Sequence, residues 1–342
     1  MKKSFQQWIG RLSRTQTRNL LLAVALSIAP GGMAQSPAYT YQEVTIPGAT
    51  VLDVQGINAS GDLVGAYFDG AAHGFVRRQG VIENIQIPGA RFTVPYGINN
   101  SGEIVGYIIY PNGFNTRPFL RNRDGSIVLL EGQGIAEGIN SSGTIVGGQF
   151  SVGQIFYHGQ RTFFSYPLPG DTVTNLRGIN GKGDFVGELA LFDETFPAPG
   201  EDPFNQQLAF IVDKNGPRIL PTPSRLAAAT GINGSGDVAG YYILAPLNPA
   251  GTDEVWLAHG FVYSGGQLNT VDAPGSSDWP LTLTVDDPDF GMVELQRIYS
   301  GTILNAINDQ GQTVARSFAS YLDFDTFVSQ DFERTYIGTP VD

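Results

Sequence analysis

A ten-residue unit, Gly-Ile-Asn-x-x-Gly-x-x-Val-Gly, recurs six times in this chain at one internal spacing, with substitutions in the last two copies. The copies start at Gly56, Gly97, Gly138, Gly178, Gly231 and Ala306, and the first four starts lie 41, 41 and 40 residues apart. A period of that size marks stacked or circular units, each too small to bury an apolar face alone. The chain is therefore expected to fold by repetition, with neighbouring copies supplying one another's core.

In Gly56-Ile57-Asn58-Ala59-Ser60-Gly61-Asp62-Leu63-Val64-Gly65, two short apolar segments flank a turn of Asn, Ser, Gly and Asp. Gly reaches positive φ freely, and Asn and Asp bond to nearby backbone, so each copy reads as a β-hairpin. The turn glycine returns at Gly102, Gly143, Gly183, Gly236 and Gly311, always three residues after the Asn, which fixes loop length and register. A third strand is centred on a recurring phenylalanine, at Phe75, Phe119, Phe156, Phe210, Phe261 and Phe327, expected in the core between units. A fourth follows, as at residues 82–87, closed by Pro88-Gly89.

Four strands in about 41 residues make the unit of a β-propeller blade. The segment Tyr41 to Gly48 looks like a fourth strand without the preceding three, so it is expected to complete the last blade and remove exposed sheet edges. The expected fold is all-β, a six-bladed β-propeller of four-stranded antiparallel blades with N-terminal strand closure. Seven blades are the alternative, because 75 residues separate Asn233 from Asn308. A linear β-solenoid would leave the N-terminal strand unexplained. Ala306 and Ala315 replace repeat glycines, so the sixth hairpin is expected to be distorted.

The Gly-Ile-Asn motif, together with His-Gly-Phe at His73 and His259, resembles the bacterial extracellular repeats called the HAF family. The resemblance covers roughly residues 40 to 330 and implies a secreted or surface propeller-like protein. It implies nothing about an activity.

The first residues carry Lys2, Lys3, Arg11, Arg14 and Arg18 and no acid, then an apolar run from Leu20 to Ala29, then small residues to Ala34. That order is the signature of a secretory signal, expected over residues 1–34 and removed to leave one propeller domain over 35–342. The run is about ten residues, against roughly 20 for a membrane-spanning helix, so stable membrane insertion is not expected. The destination read from this is secreted or periplasmic. The chain has no cysteine, which excludes thiol catalysis, thiolate metal sites and disulfides.

Loss of the signal would leave 15 Lys+Arg against 32 Asp+Glu, a formal charge of -17. Nucleic-acid binding draws on basic groups that release counterions, so nucleic acid is not an expected partner. A glycan or an extracellular protein is.

Two sets of residues are candidates for contact. Just before each Gly-Ile-Asn stand Gln55, Tyr96, Glu137, Arg177, Thr230 and Asn305, chemically different in every copy on an otherwise repeated frame. Variable polar residues on an invariant scaffold suit a shared central pocket, or else bonds between blades. Glu137 and Arg177, on adjacent blades, are expected to pair or face a ligand.

Longer insertions at 193–206, 245–256 and 274–300 are expected on one face. They hold Asp193, Glu194, Glu201, Asp202, Asp253, Glu254 and Asp278 among aromatics that include Phe196, Phe204, Trp256 and Trp279. Carboxylates beside aromatic platforms suit a sugar or a cation-bearing ligand, and clustered oxygens suit Ca²⁺, with Asp286, Asp287 and Asp289 the candidate ligands. That run lacks the alternating spacing of an EF-hand loop.

The repeated asparagines occur once per copy, so they read as structural. No nucleophile elbow, phosphate loop or dinucleotide fingerprint occurs. The function expected is an exported binding or interaction module. A propeller glycan hydrolase or lyase using carboxylates near the channel mouth is the alternative, and a surface structural protein the third.

Overall fold

The computed structural model describes residues 38–341 except 112, 114, 169–171, 192–205, 245–255, 277–278, 324, 325 and 327. The expected signal, residues 1–34, and the acidic groups Asp193, Glu194, Glu201, Asp202, Asp253, Glu254 and Asp278 with Phe196 and Phe204 lie outside the described residues. Among those described, every regular element is a strand.

The chain begins with β1 (Tyr39–Val44) and then repeats an antiparallel meander. The first is β2 (Val51–Ile57), β3 (Leu63–Phe68), β4 (Ala72–Arg78) and β5 (Val81–Ile85); the second is β6 (Phe92–Ile98), β7 (Ile104–Ile109), β8 (Thr116–Arg121) and β9 (Ile127–Leu129). The third is β10 (Ile135–Ile139), β11 (Ile145–Gln149), β12 (Val152–Tyr157) and β13 (Gln160–Phe164), and the fourth is β14 (Thr172–Ile179), β15 (Phe185–Leu191), β16 (Gln206–Asp213) and β17 (Gly216–Ile219).

The remaining strands share one nine-stranded sheet. They are β18 (Ala227–Ile232), β19 (Val238–Leu244), β20 (Trp256–Ser264), β21 (Gln267–Thr270), β22 (Thr282–Asp287), β23 (Gly291–Ile307), β24 (Thr313–Leu322) and β25 (Ser329–Pro340), joined by β1. Two four-strand runs, β18–β21 and β23–β25 with β1, are fused by a parallel pairing of Trp256–Ala258 with Tyr299–Gly301. The sequence pattern gave no sign of this fusion. It uses the middle of the 17-residue β23, where Tyr299–Gly301 pair with the start of β20 on one side and with β24 on the other.

The 75-residue interval that left room for another four-stranded unit holds instead the β22–β23 hairpin, an extension of β23. The sixth repeat hairpin is as regular as the others: Asn308 and Gln312 close it through a 2.9 Å backbone bond, and Gly311 keeps φ at +74°. The expected distortion is absent because the alanines occupy extended positions, while the turn glycine that needs positive φ is retained.

Apolar clusters join each run to the next. Val64 and Val76 meet Ile98 and Ile104, Val105 meets Ala136 and Ile145, and Val146 meets Leu176 and Phe210. Val186 and Ile211 meet Ala229 and Phe261, and Val262 meets Leu304 and Tyr336. Val314 then packs with Val44, Val54 and Phe75, returning the core from the last run to the first. β1 lies antiparallel on β25 with Tyr39 opposite Pro340 and Val44 opposite Thr335. The expected strand closure is therefore present.

Phe75, Phe119, Phe210 and Phe261 are fully buried opposite the closing repeat glycine, as expected. Two copies differ. In the third, Gln154 stands opposite Gly147 and Phe156 lies two residues further along. In the last, Tyr336 stands opposite Ala315, and Phe327 is outside the described residues.

Candidate functional site at the mouth of a central channel

The asparagine of each repeat organises the axis. Its side-chain oxygen accepts backbone N–H bonds within its own turn, as Asn58 does from Ser60 at 3.0 Å and Asp62 at 2.9 Å. Its amide then donates to the backbone carbonyl of the next repeat asparagine: Asn58 to Asn99, Asn99 to Asn140, Asn140 to Asn180, Asn180 to Asn233, Asn233 to Asn308 and Asn308 back to Asn58, all at 3.0–3.2 Å. The turn bonds were expected; the closed circuit of six was not.

The repeat glycines let the innermost strands approach. A Cβ on Gly97 would stand 2.5 Å from the carbonyl oxygen of Glu137, and one on Gly56 2.6 Å from that of Tyr96. Between these strands runs a narrow cavity of about 80 Å³ lined by residues 55–57, 96–98, 137–139, 177–179, 230–232 and 305–307.

All six candidate residues, Gln55, Tyr96, Glu137, Arg177, Thr230 and Asn305, meet in this channel, and each occupies the same irregularity. Strand register shifts between Val54 and Gly56, Pro95 and Gly97, Ala136 and Gly138, Leu176 and Gly178, Ala229 and Gly231, and Leu304 and Ala306. The variable residue is the extra one of a β-bulge, which leaves it outside the ladder and re-aims its side chain.

Most of the six are engaged. Arg177 bonds Glu137 at 2.9 Å and forks onto Glu188 at 2.8 and 3.2 Å, while Asn175 also donates to Glu188 at 3.1 Å. Thr230 donates to the Leu304 carbonyl at 2.6 Å, Asn305 to that of Val54 at 2.8 Å, and Gln55 to the Asp53 carboxylate at 2.7 Å. The Tyr96 hydroxyl has no hydrogen-bond partner among the described residues.

A second set, missed in the sequence, stands beside the first. The residue after each closing repeat glycine or its alanine substitute is Ala66, Tyr107, Gly148, Glu188, Tyr241 or Arg316, five residue types in six copies. The same comparison of copies, carried one residue beyond the repeat unit, would have found it. Asp53, Tyr299 and Glu333 lie near this second set, all three acting on the Arg316 guanidinium.

Burial raises the Tyr96 hydroxyl, with the charge of Glu137 adding to it, and pushes Tyr107 up to about 12, with Asp53 and Glu137 adding. Tyr241 and Tyr299 are likewise raised, first by burial. All four phenols therefore stay protonated at neutral pH. Burial opposes the Arg316 charge, but Asp53, Glu333 and the neighbouring tyrosines outweigh it and raise the guanidinium.

The two acids bound to Arg177 are driven apart. Burial raises Glu137, and Glu188 adds to that while Arg177 opposes it. Burial also acts to raise Glu188, but the charge of Arg177 and the bonds from Arg177, Asn175 and Gln207 outweigh it and hold that carboxyl low.

Among the described residues of the inserted segments, the two tryptophans do not line the channel. Trp256 is taken up in the β20–β23 pairing, opposite Tyr299. Trp279 packs with Leu283, Tyr321 and Phe332 in a satellite core, stacked on Phe332 at 5.6 Å beneath the Arg334 guanidinium. Asp287 caps the β22–β23 turn, accepting from the backbone of Asp289 at 2.9 Å and Phe290 at 3.1 Å, and Asp286 pairs with Met292 in the ladder. Among the described residues no group of three or more His, Asp or Glu is placed to hold a metal ion. His73 and His259 occupy matching places, stacked on Tyr67 and Tyr242 and bonded to Asp69 and Asp272. No known family model matches the chain, and no curated protein matches it.

Proposed function

We propose that this chain is an exported six-bladed β-propeller of the HAF repeat type that acts as a binding module, receiving a polar extracellular ligand, foremost a glycan, at the mouth of its channel. The observation that carries the reading is the six equivalent bulges, each presenting a chemically different side chain to one shared opening. Partly buried hydroxyls at Tyr96, Tyr107 and Tyr299 have no hydrogen-bond partner among the described residues, and buried polar groups are ordinarily satisfied by protein, water or ligand. Ligand that binds only the folded chain raises its melting midpoint by mass action. A panel of glycans tested by thermal shift on residues 35–342 should yield one that raises the midpoint in the wild type and loses that effect in Tyr96→Ala. Equal shifts in both proteins would place the site elsewhere.

The opposite shifts of Glu137 and Glu188, on different sheets and sharing Arg177, favour a second reading as a glycan-cleaving enzyme. Two carboxyls pushed apart by their surroundings are the usual arrangement of a proton donor and an ionised partner. Glu137 would donate the proton. On any glycan that binds, this reading expects release of reducing ends that Glu137→Gln abolishes while binding persists; a glycan bound without turnover by the wild type excludes it for that ligand.

A further inference from the structure

We infer that the channel mouth receives a protonated amine of its ligand, seated over the Tyr96 and Tyr107 rings and opposite the Asp53 carboxylate. This deepens the binding reading above and rests on it. Four carboxylates, Asp53, Glu137, Glu188 and Glu333, share the mouth with two guanidiniums, Arg177 and Arg316, and the charges are not evenly paired. Arg177 is bonded to Glu137 and Glu188 at 2.9 and 2.8 Å. Arg316 lies 3.7 Å from Glu333. Asp53 makes its one side-chain hydrogen bond to the neutral amide of Gln55 at 2.7 Å, and shares the charge of Arg316 with Glu333 without an ion pair to it, so one guanidinium serves two carboxylates.

That carboxylate is felt by both phenols: Asp53 acts on Tyr96 and on Tyr107. Their rings lie 6.1 Å apart and tilted by 40°, forming two sides of a corner. An ammonium beside tyrosine faces gains cation–π attraction, and a nearby carboxylate adds direct charge complementarity. The unpartnered phenol oxygens supply acceptors for its N–H groups. An anionic ligand would meet a net excess of negative charge.

The experiment compares a glucosamine tetramer with its fully N-acetylated counterpart, which has the same sugar frame without the amine, by calorimetry at physiological ionic strength so that diffuse surface attraction is screened. The expected result is binding of the amine form at least about tenfold tighter than the acetylated form. Asp53→Asn and, independently, Tyr107→Leu should each remove that preference, with melting midpoints of the unliganded variants recording that they fold.

Equal binding of both tetramers, unchanged in Asp53→Asn, would overturn the amine inference and leave glycan binding standing. Amine-form binding that neither variant weakens would overturn it as attachment to the acidic surface. Binding of neither tetramer would also overturn it, while the broader glycan screen separately decides the binding reading.

Discussion

An asparagine side chain offers one carbonyl and two N–H donors, and the repeat asparagines use this capacity nearly in full. Asn99 accepts from Ser101 and Glu103 at 3.0 Å and donates to the Glu103 carboxylate at 2.6 Å and the Asn140 carbonyl at 3.0 Å. Aspartate keeps the acceptor and loses both donations, and it sets a second carboxylate against Glu103. Asn99→Asp should therefore cost about 2–4 kcal/mol in urea denaturation, the sum of lost bonds and an unsatisfied buried carbonyl.

The acids on Arg177 give opposite pH signatures. Glu188 is held below the ordinary glutamate value of 4.5, so its stabilising contribution is present above that value and is lost as pH falls through its lower folded value. Glu137 is raised above 4.5, so its contribution is present below that value and is lost as pH rises through its folded value. Glu188→Gln should destabilise at pH 7, with a cost that shrinks on acidification. Glu137→Gln should be neutral or stabilising at pH 7 and lose that advantage as pH falls. Denaturant midpoints across pH 3–8 test both.

At the scale of elements, the decisive strand is β1. It closes the last sheet, buries Val44 with the adjoining Ile46, and sends the Tyr41 hydroxyl to the Asp272 carbonyl at 3.0 Å. Burying those two aliphatic side chains is worth about 2 kcal/mol each. Deleting residues 35–46 should lower the melting midpoint by more than about 10 °C, and a peptide spanning 38–46 supplied in trans should restore part of it. An unchanged midpoint would mean that β25 needs no covering strand.

Which elements were legible follows from what sets them. Hairpins and closure were readable because turn glycines and strand alternation are local signals. The bulges were not, because a one-residue register shift leaves no mark in composition, yet it turns Gln55 and its five equivalents toward the channel. Gln154 hides for a related reason: Phe156 catches the eye, but register places the glutamine opposite Gly147. Its amide satisfies the carbonyls of Ile135 and Gly148, and Arg161 bonds its oxygen at 3.1 Å. The parallel fusion of β20 with β23 joins segments about 40 residues apart by a contact that no repeat motif encodes.

For the whole molecule, the sealed chain ends matter most. The backbone N–H of Val341 donates to the Ala38 carbonyl at 2.8 Å, so the two ends of the described chain touch. A permutant that joins them through a short Gly-Ser linker and opens at the exposed Gly89 turn should melt within a few degrees of the parent, since termini placed together tolerate such rewiring. A large loss would show that chain order, beyond connectivity, sustains the assembly.

The bulges give this architecture an evolutionary freedom. Each displaced residue makes no ladder bond on which the hairpin depends, so its side chain can change without disturbing that hairpin's own register. Duplicated descendants can exchange those six letters, and the six that follow the closing glycines, to chase new molecules while remaining superimposable in backbone.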